Sequence, residues 1–144
     1  LPVLIPESYV QELPVRLGLY RRIGALTTDA EVQAVAAELA DRFGPIPVEV
    51  ENLLQVVGLK LQCRAAGVEK VDAGPKGVVI AFHKNRFANP AGLVAWVSSQ
   101  KGIINLRPDH KLALLRELPF EVRVKAARGL VAKLLEVATQ AQAA

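Results

Sequence analysis

The hydrophobic period of this chain changes at Gly67, and that change restricts the fold more than any other feature. Before it, apolar residues recur every three or four positions. After it, Val68, Lys70-Val71 and Val78-Val79-Ile80-Ala81-Phe82 follow the two-residue period of a strand. A helical first part and a sheet-containing second part are therefore expected in one chain, an α+β arrangement.

Three helices are read in the first part. Leu13, Leu17, Tyr20, Ile23 and Gly24 form a helical stripe with Pro14 in its first turn, predicting a helix over 14–25. Thr28-Asp29-Ala30-Glu31 has the form of a capping box, and Val32, Val35, Ala36, Leu39 and Phe43 continue the stripe to Gly44-Pro45, which predicts a helix over 29–43. From Pro47, the stripe Val50, Leu53, Leu54, Val57, Leu61 and Ala65 predicts a helix over 47–66, closed by Gly67. Val3-Leu4-Ile5, between Pro2 and Pro6, reads as a short edge strand or an extended arm within an N-terminal arm over 1–13.

The second part reads strand, strand, helix, twice over. Gly74-Pro75-Lys76-Gly77 suits a chain reversal, so residues 68–83 are expected to form a hairpin. Asn89-Pro90 opens a short helix through Trp96 to about Lys101-Gly102. Ile103–Leu106 and Lys111–Leu115 flank Pro108-Asp109-His110 as a second hairpin. Pro119 opens a last helix through Val122, Ala126, Leu130, Leu134 and Val137, and residues 139–144 read as a frayed tail. The two hairpins predict a four-stranded antiparallel sheet with both helices on one face. The two units share no sequence identity, so the echo is topological.

At 144 residues, with 51% hydrophobic and 22% charged residues, one domain over 1–138 is expected, able to bury roughly two thirds of its unfolded surface. Mean hydropathy is +0.26, yet charges interrupt every apolar run well short of the ~20 residues that a spanning helix requires. No signal peptide is visible, and the single cysteine, Cys63, forms no internal disulfide, so a cytoplasmic location is expected. Position 1 is Leu and the sequence contains no Met, which reads as a piece of a longer polypeptide.

The net charge of +4 is unevenly divided. Residues 1–73 carry 7 Lys/Arg against 10 Asp/Glu, and residues 74–144 carry 11 against 4. Lys84, Arg86, Arg107, Lys111 and Arg116 fall at strand ends, while Arg123, Lys125, Arg128 and Lys133 lie along the last helix. They read either as a solvated basic face or as a phosphate-contacting surface of a nucleic-acid-binding module. Aromatic residues are only 5% and do not alternate with the cations as a base-stacking platform requires.

The sequence carries no recognisable catalytic motif. Gly74-Pro75-Lys76-Gly77 lacks the spacing that cradles phosphates before a helix. His83 and His110 stand apart from any second ligand at metal spacing. Arg64 beside Cys63 could lower the thiol pKa, but no base motif accompanies it. No catalytic residue, cofactor or metal is expected.

Glu38 and Asp41 are the most informative polar pair. Their i, i+3 spacing sets both carboxylates on one face in the last turns of helix 29–43, where the helix dipole disfavours anions. In one reading Arg42 screens Glu38 through an i, i+4 pair and Asp41 is simply solvated. In the other, the pair meets a basic partner surface, with arginine the expected residue.

The run Glu38-Leu39-Ala40-Asp41-Arg42-Phe43-Gly44-Pro45-Ile46-Pro47, followed by Val48-Glu49-Val50-Glu51-Asn52-Leu53-Leu54, closely resembles the C-terminal (TRCF) domain family of bacterial transcription-repair coupling factors. Leu17–Ile23, Gly67–Val71 and Lys76–Phe82 with Asn89-Pro90 extend the resemblance over about residues 1–138. It implies a parent that is an ATP-dependent DNA translocase, which removes stalled RNA polymerase and recruits nucleotide excision repair. It also implies a non-catalytic domain that packs on the parent's N-terminal UvrB-like module and masks the surface that would bind UvrA. Glu38 and Asp41 match the family's acidic residues that meet arginines of that module.

Overall fold

A computed structural model describes residues 2–143, with side chains described through 140. The chain divides into two compact units, Leu1–Leu61 and Gln62–Ala144.

The first unit holds α1 (Leu13–Gly24), α2 (Asp29–Phe43) and most of α3 (Val48–Ala66). Thr28 caps α2 by accepting from the Glu31 amide at 3.1 Å, and the Glu31 carboxylate accepts in return from the Thr27 hydroxyl at 2.7 Å and the Thr27 amide at 3.3 Å. Those bonds, led by the one from the Thr27 side chain, hold the Glu31 carboxyl below its ordinary pKa. Gly44, at φ 92°, ends the helix in a conformation that costs a glycine little. Val32, Val35 and Leu39 from α2 share one core with Val50 and Leu54 from α3, Leu19 and Ile23 from α1, and Ile5 and Val10 from the arm.

One expectation for this unit needs correction. Of the apolar stripe read on α1 only Ile23 is buried, together with Leu19 outside the stripe, while Leu13, Leu17 and Tyr20 are exposed. Of the two readings of Val3-Leu4-Ile5, the strand is absent and the arm remains. The Ile5 amide donates to the Tyr20 hydroxyl at 2.7 Å instead, so a side chain takes the place of a ladder acceptor. The arm is fastened again by Tyr9, whose hydroxyl lies 3.0 Å from the Leu39 carbonyl and 2.9 Å from the Gly44 carbonyl, at the orphan-carbonyl end of α2.

The second unit holds β1 (Val68–Gly74), β2 (Gly77–Phe82), α4 (Pro90–Ser99), β3 (Ile104–Leu106), β4 (Leu112–Leu115) and α5 (Arg123–Ala143). The strands form the expected antiparallel sheet in the order β1-β2-β4-β3. Helix α5 lies against β1 and β2, and α4 lies against β3 and α5. Val78, Ile80 and Phe82 alternate with the half-buried Val79 and Ala81, as the two-residue period requires. Asn89 caps α4 by accepting from the Gly92 amide at 3.1 Å, with Pro90 in the first turn.

The last helix differs from expectation at both ends. Phe120–Val122 form a 3-10 turn after Pro119, and α5 proper starts at Arg123. At the other end α5 continues to Ala143, over most of the expected tail, because alanine and glutamine are good helix formers and no Gly or Pro stops them. Ala144 lies outside the described residues.

Candidate partner-binding site

Glu38 and Asp41 sit where their spacing puts them, in the last turns of α2, but Glu38 is not waiting for a cation. Arg22, in the last turn of α1, grips it with two parallel bonds, Nη1 to Oε2 at 2.7 Å and Nη2 to Oε1 at 2.9 Å. Arg42, one turn further along α2, adds a third from its Nη1 to Oε2 at 3.0 Å. The hydrogen bonds from Arg22 and then Arg42 pull the Glu38 carboxyl down to a pKa of about 2 and raise that of Arg22. Arg42 also stacks over Phe43, its guanidinium 4.8 Å from the ring centre.

Asp41 is exposed and makes no hydrogen bond or ion pair among the described residues. The site is therefore an Arg22–Glu38–Arg42 hydrogen-bonded cluster with one unengaged carboxylate a turn from Glu38. The i, i+4 pair with Arg42 was legible in the sequence. Arg22 was not, because it lies 16 positions upstream on another helix and nothing in local spacing signals such a pairing.

An ionised carboxylate offers about four acceptor positions, so Glu38, with three bonds, can still take an incoming donor. All the members are partly or fully solvent-accessible. On the same unit α1 exposes Leu13, Leu17 and Tyr20 at i, i+4 and i+7. Arg22 follows Leu13 by nine residues, about 180° around the helix, so this stripe and the charged cluster lie on opposite faces of α1.

The other candidates resolve into structural roles. Gly74–Gly77 is the β1–β2 turn; a Cβ at Gly77, φ 145°, would meet the Leu114 carbonyl oxygen at 1.8 Å, so closeness to β4 explains that glycine. His83 is 4.0 Å from Glu69 at the end of the hairpin, and His110 takes a left-handed conformation in the β3–β4 turn. Burial pushes the Cys63 thiol pKa up, opposite to nucleophile activation. No group of three His, Cys, Asp or Glu side chains among the described residues is placed to hold a metal ion. None of the described helices is long and apolar enough to cross a membrane.

Several of the basic residues are already engaged. Arg107 pairs with Asp109 at 2.9 Å, Arg123 donates to the Leu118 carbonyl, Arg128 donates to Gln62, and Lys133 pairs with Glu136.

A TRCF domain family model matches residues 1–93. The transcription-repair-coupling factor of Rickettsia bellii is 39% identical over 138 residues, which cover 95% of this chain and 12% of that protein. That of Escherichia coli K12 is 30% identical over 118 residues, 82% of this chain and 10% of that protein. The chain thus spans about an eighth or less of these curated relatives. A solved structure described as the C-terminal domain of transcription-repair coupling factor superposes with a TM-score of 0.76 over 97% of this chain and 91% of that one, at 16% identity. At that identity the superposition speaks for the fold.

Proposed function

The chain belongs to the TRCF domain family, as the C-terminal domain of a transcription-repair coupling factor, and from that premise we propose that it is a non-catalytic clasp. It packs on the N-terminal UvrB-like module of its own polypeptide and covers the surface that UvrA would otherwise bind. The parent is then an autoinhibited, ATP-dependent DNA translocase that acts on stalled RNA polymerase, and ATP hydrolysis takes place elsewhere in it.

One observation supports this reading: Asp41 is unengaged among the described residues, one turn from a Glu38 that accepts hydrogen bonds from Arg22 and Arg42. Pre-positioned side chains lose little conformational freedom on binding, which lowers the cost of association. Arginines on the UvrB-like module would meet Asp41 first and take the remaining acceptor position of Glu38.

A clasp must also open. Solvent-exposed ion pairs contribute about 0–1 kcal/mol each, so Asp41 and Glu38 suit a contact that is specific and reversible. The rival reading, a basic module that binds nucleic acid, is weakened by the pairing of Arg107 with Asp109 and of Lys133 with Glu136 within the second unit.

The test is the doubly substituted parent, Glu38→Ala with Asp41→Ala. It should bind UvrA more tightly than the unsubstituted parent, while the isolated domain stays folded. Unchanged UvrA binding with an intact domain would remove these two residues from the clasp.

A further inference from the structure

The second unit contains a groove for which the clasp has no use. It has a volume of about 530 Å³ and runs along α5, between that helix, the end of α4 and the β3–β4 edge of the sheet. Its floor is apolar and accessible: Ile103 is 52% and Val122 40% exposed, and Trp96 is half-buried. Gly129 contributes no side chain, and a Cβ built there would meet nothing within 4 Å. Three cations border the groove, Arg116, Lys125 and Lys133, and no Asp or Glu lines it. Arg116 and Lys125 have no side-chain partner among the described residues. Lys133 already holds one carboxylate, that of Glu136, at 3.3 Å.

We propose that this groove is a docking site for an acidic amphipathic helix of a protein partner. The α5 positions from Lys125 to Lys133 span about 12 Å of helix axis, a little over two turns, matching the i, i+3, i+4, i+7 anchors of a helix lying in a groove. Ala126 and Gly129 leave room for close approach of a second backbone. The apolar floor receives leucine-like side chains, and the unpaired cations at the border select carboxylates on the flanks of the incoming helix. Charge complementarity of this kind sets orientation and excludes basic competitors. A nucleic-acid strand fits less well, since its phosphates would gain from the cations but leave Ile103 and Val122 uncovered. The groove lies wholly in the second unit, so the proposal is independent of the roles of Glu38 and Asp41.

The test titrates the isotopically labelled chain with a synthetic amphipathic peptide carrying leucines at those anchor positions and glutamates on both flanks. Saturable binding that moves the Trp96 indole, Ile103 and Gly129 resonances is expected. Gly129→Leu fills the groove with a better helix former, so α5 should be retained while binding weakens about tenfold or more. The same peptide with lysine in place of glutamate should not bind, and Lys125→Glu should weaken the glutamate peptide and favour the lysine one. Equal binding by both peptides, or no effect of Gly129→Leu, overturns the proposal. So does perturbation of these resonances by duplex DNA or by self-association rather than by the peptide, which would assign the groove to nucleic acid or to a second copy.

Discussion

Arg22 of α1 meets Glu38 of α2 through two parallel hydrogen bonds of 2.7 and 2.9 Å, joining the ends of two helices at the solvent surface. Planar guanidinium and carboxylate groups paired in this way are fixed in orientation as well as position. An acidic residue whose location opposes the helix dipole is thereby engaged by two arginines. In the proposed clasp, Asp41 is the carboxylate that meets the partner.

The first prediction concerns the ionisation of Glu38. Its folded-state pKa of about 2 lies below the ordinary 4.5, so its contribution to stability is fully present above about pH 4.5 and is lost as pH falls toward 2. Carboxyl resonances followed by NMR should show a midpoint near 2 for Glu38, and Arg22→Ala should return it toward 4.5. A midpoint near 4.5 in the unsubstituted domain would mean that the cluster does not hold in solution.

A second prediction separates neighbouring leucines on α3. Leu54 is 4% exposed and belongs to the core of the first unit, whereas Leu53 is only half-buried. Leu54→Ala should cost about 2–5 kcal/mol, with Leu53→Ala costing distinctly less. Denaturant midpoints read the difference, and equal losses would contradict the assigned helix face.

A third concerns the β1–β2 turn. Because a Cβ at Gly77 would overlap the Leu114 carbonyl oxygen of β4, Gly77→Ala should push β2 and β4 apart and lower the thermal midpoint by more than an ordinary surface substitution does. Gly74, whose Cβ would meet nothing within 4 Å, provides the control, and comparable losses for Gly74→Ala and Gly77→Ala would rule out the steric explanation.

What the sequence revealed, it revealed through local chemistry. Helix α2 was legible to its ends because Thr28, Glu31 and Gly44 carry the capping and stop signals within the segment itself. The two hairpins were legible because a two-residue period flanks turn residues. Long-range pairings left no such trace. Tyr20 fits a helical stripe equally well facing in or out, and only the packed unit shows its hydroxyl accepting from the Ile5 amide and its ring exposed. The Arg22–Glu38 pair likewise depends on how α1 and α2 meet. Of the candidate site, the two acidic positions were visible in the sequence and the arginine cluster that orients them was only half visible.

The central claim is tested most directly by mixing this chain with the isolated UvrB-like N-terminal module of its parent and following association by calorimetry. A tethered contact works at an effective concentration of about millimolar, so weak affinity between the separated parts is sufficient for a clasp. The account predicts saturable binding that UvrA displaces, and a loss of several-fold in affinity when Glu38 and Asp41 are both replaced by Ala, in line with about 1 kcal/mol or less from each exposed pair. Absence of association with both components near millimolar concentration, or binding that neither UvrA nor the double substitution alters, would contradict it.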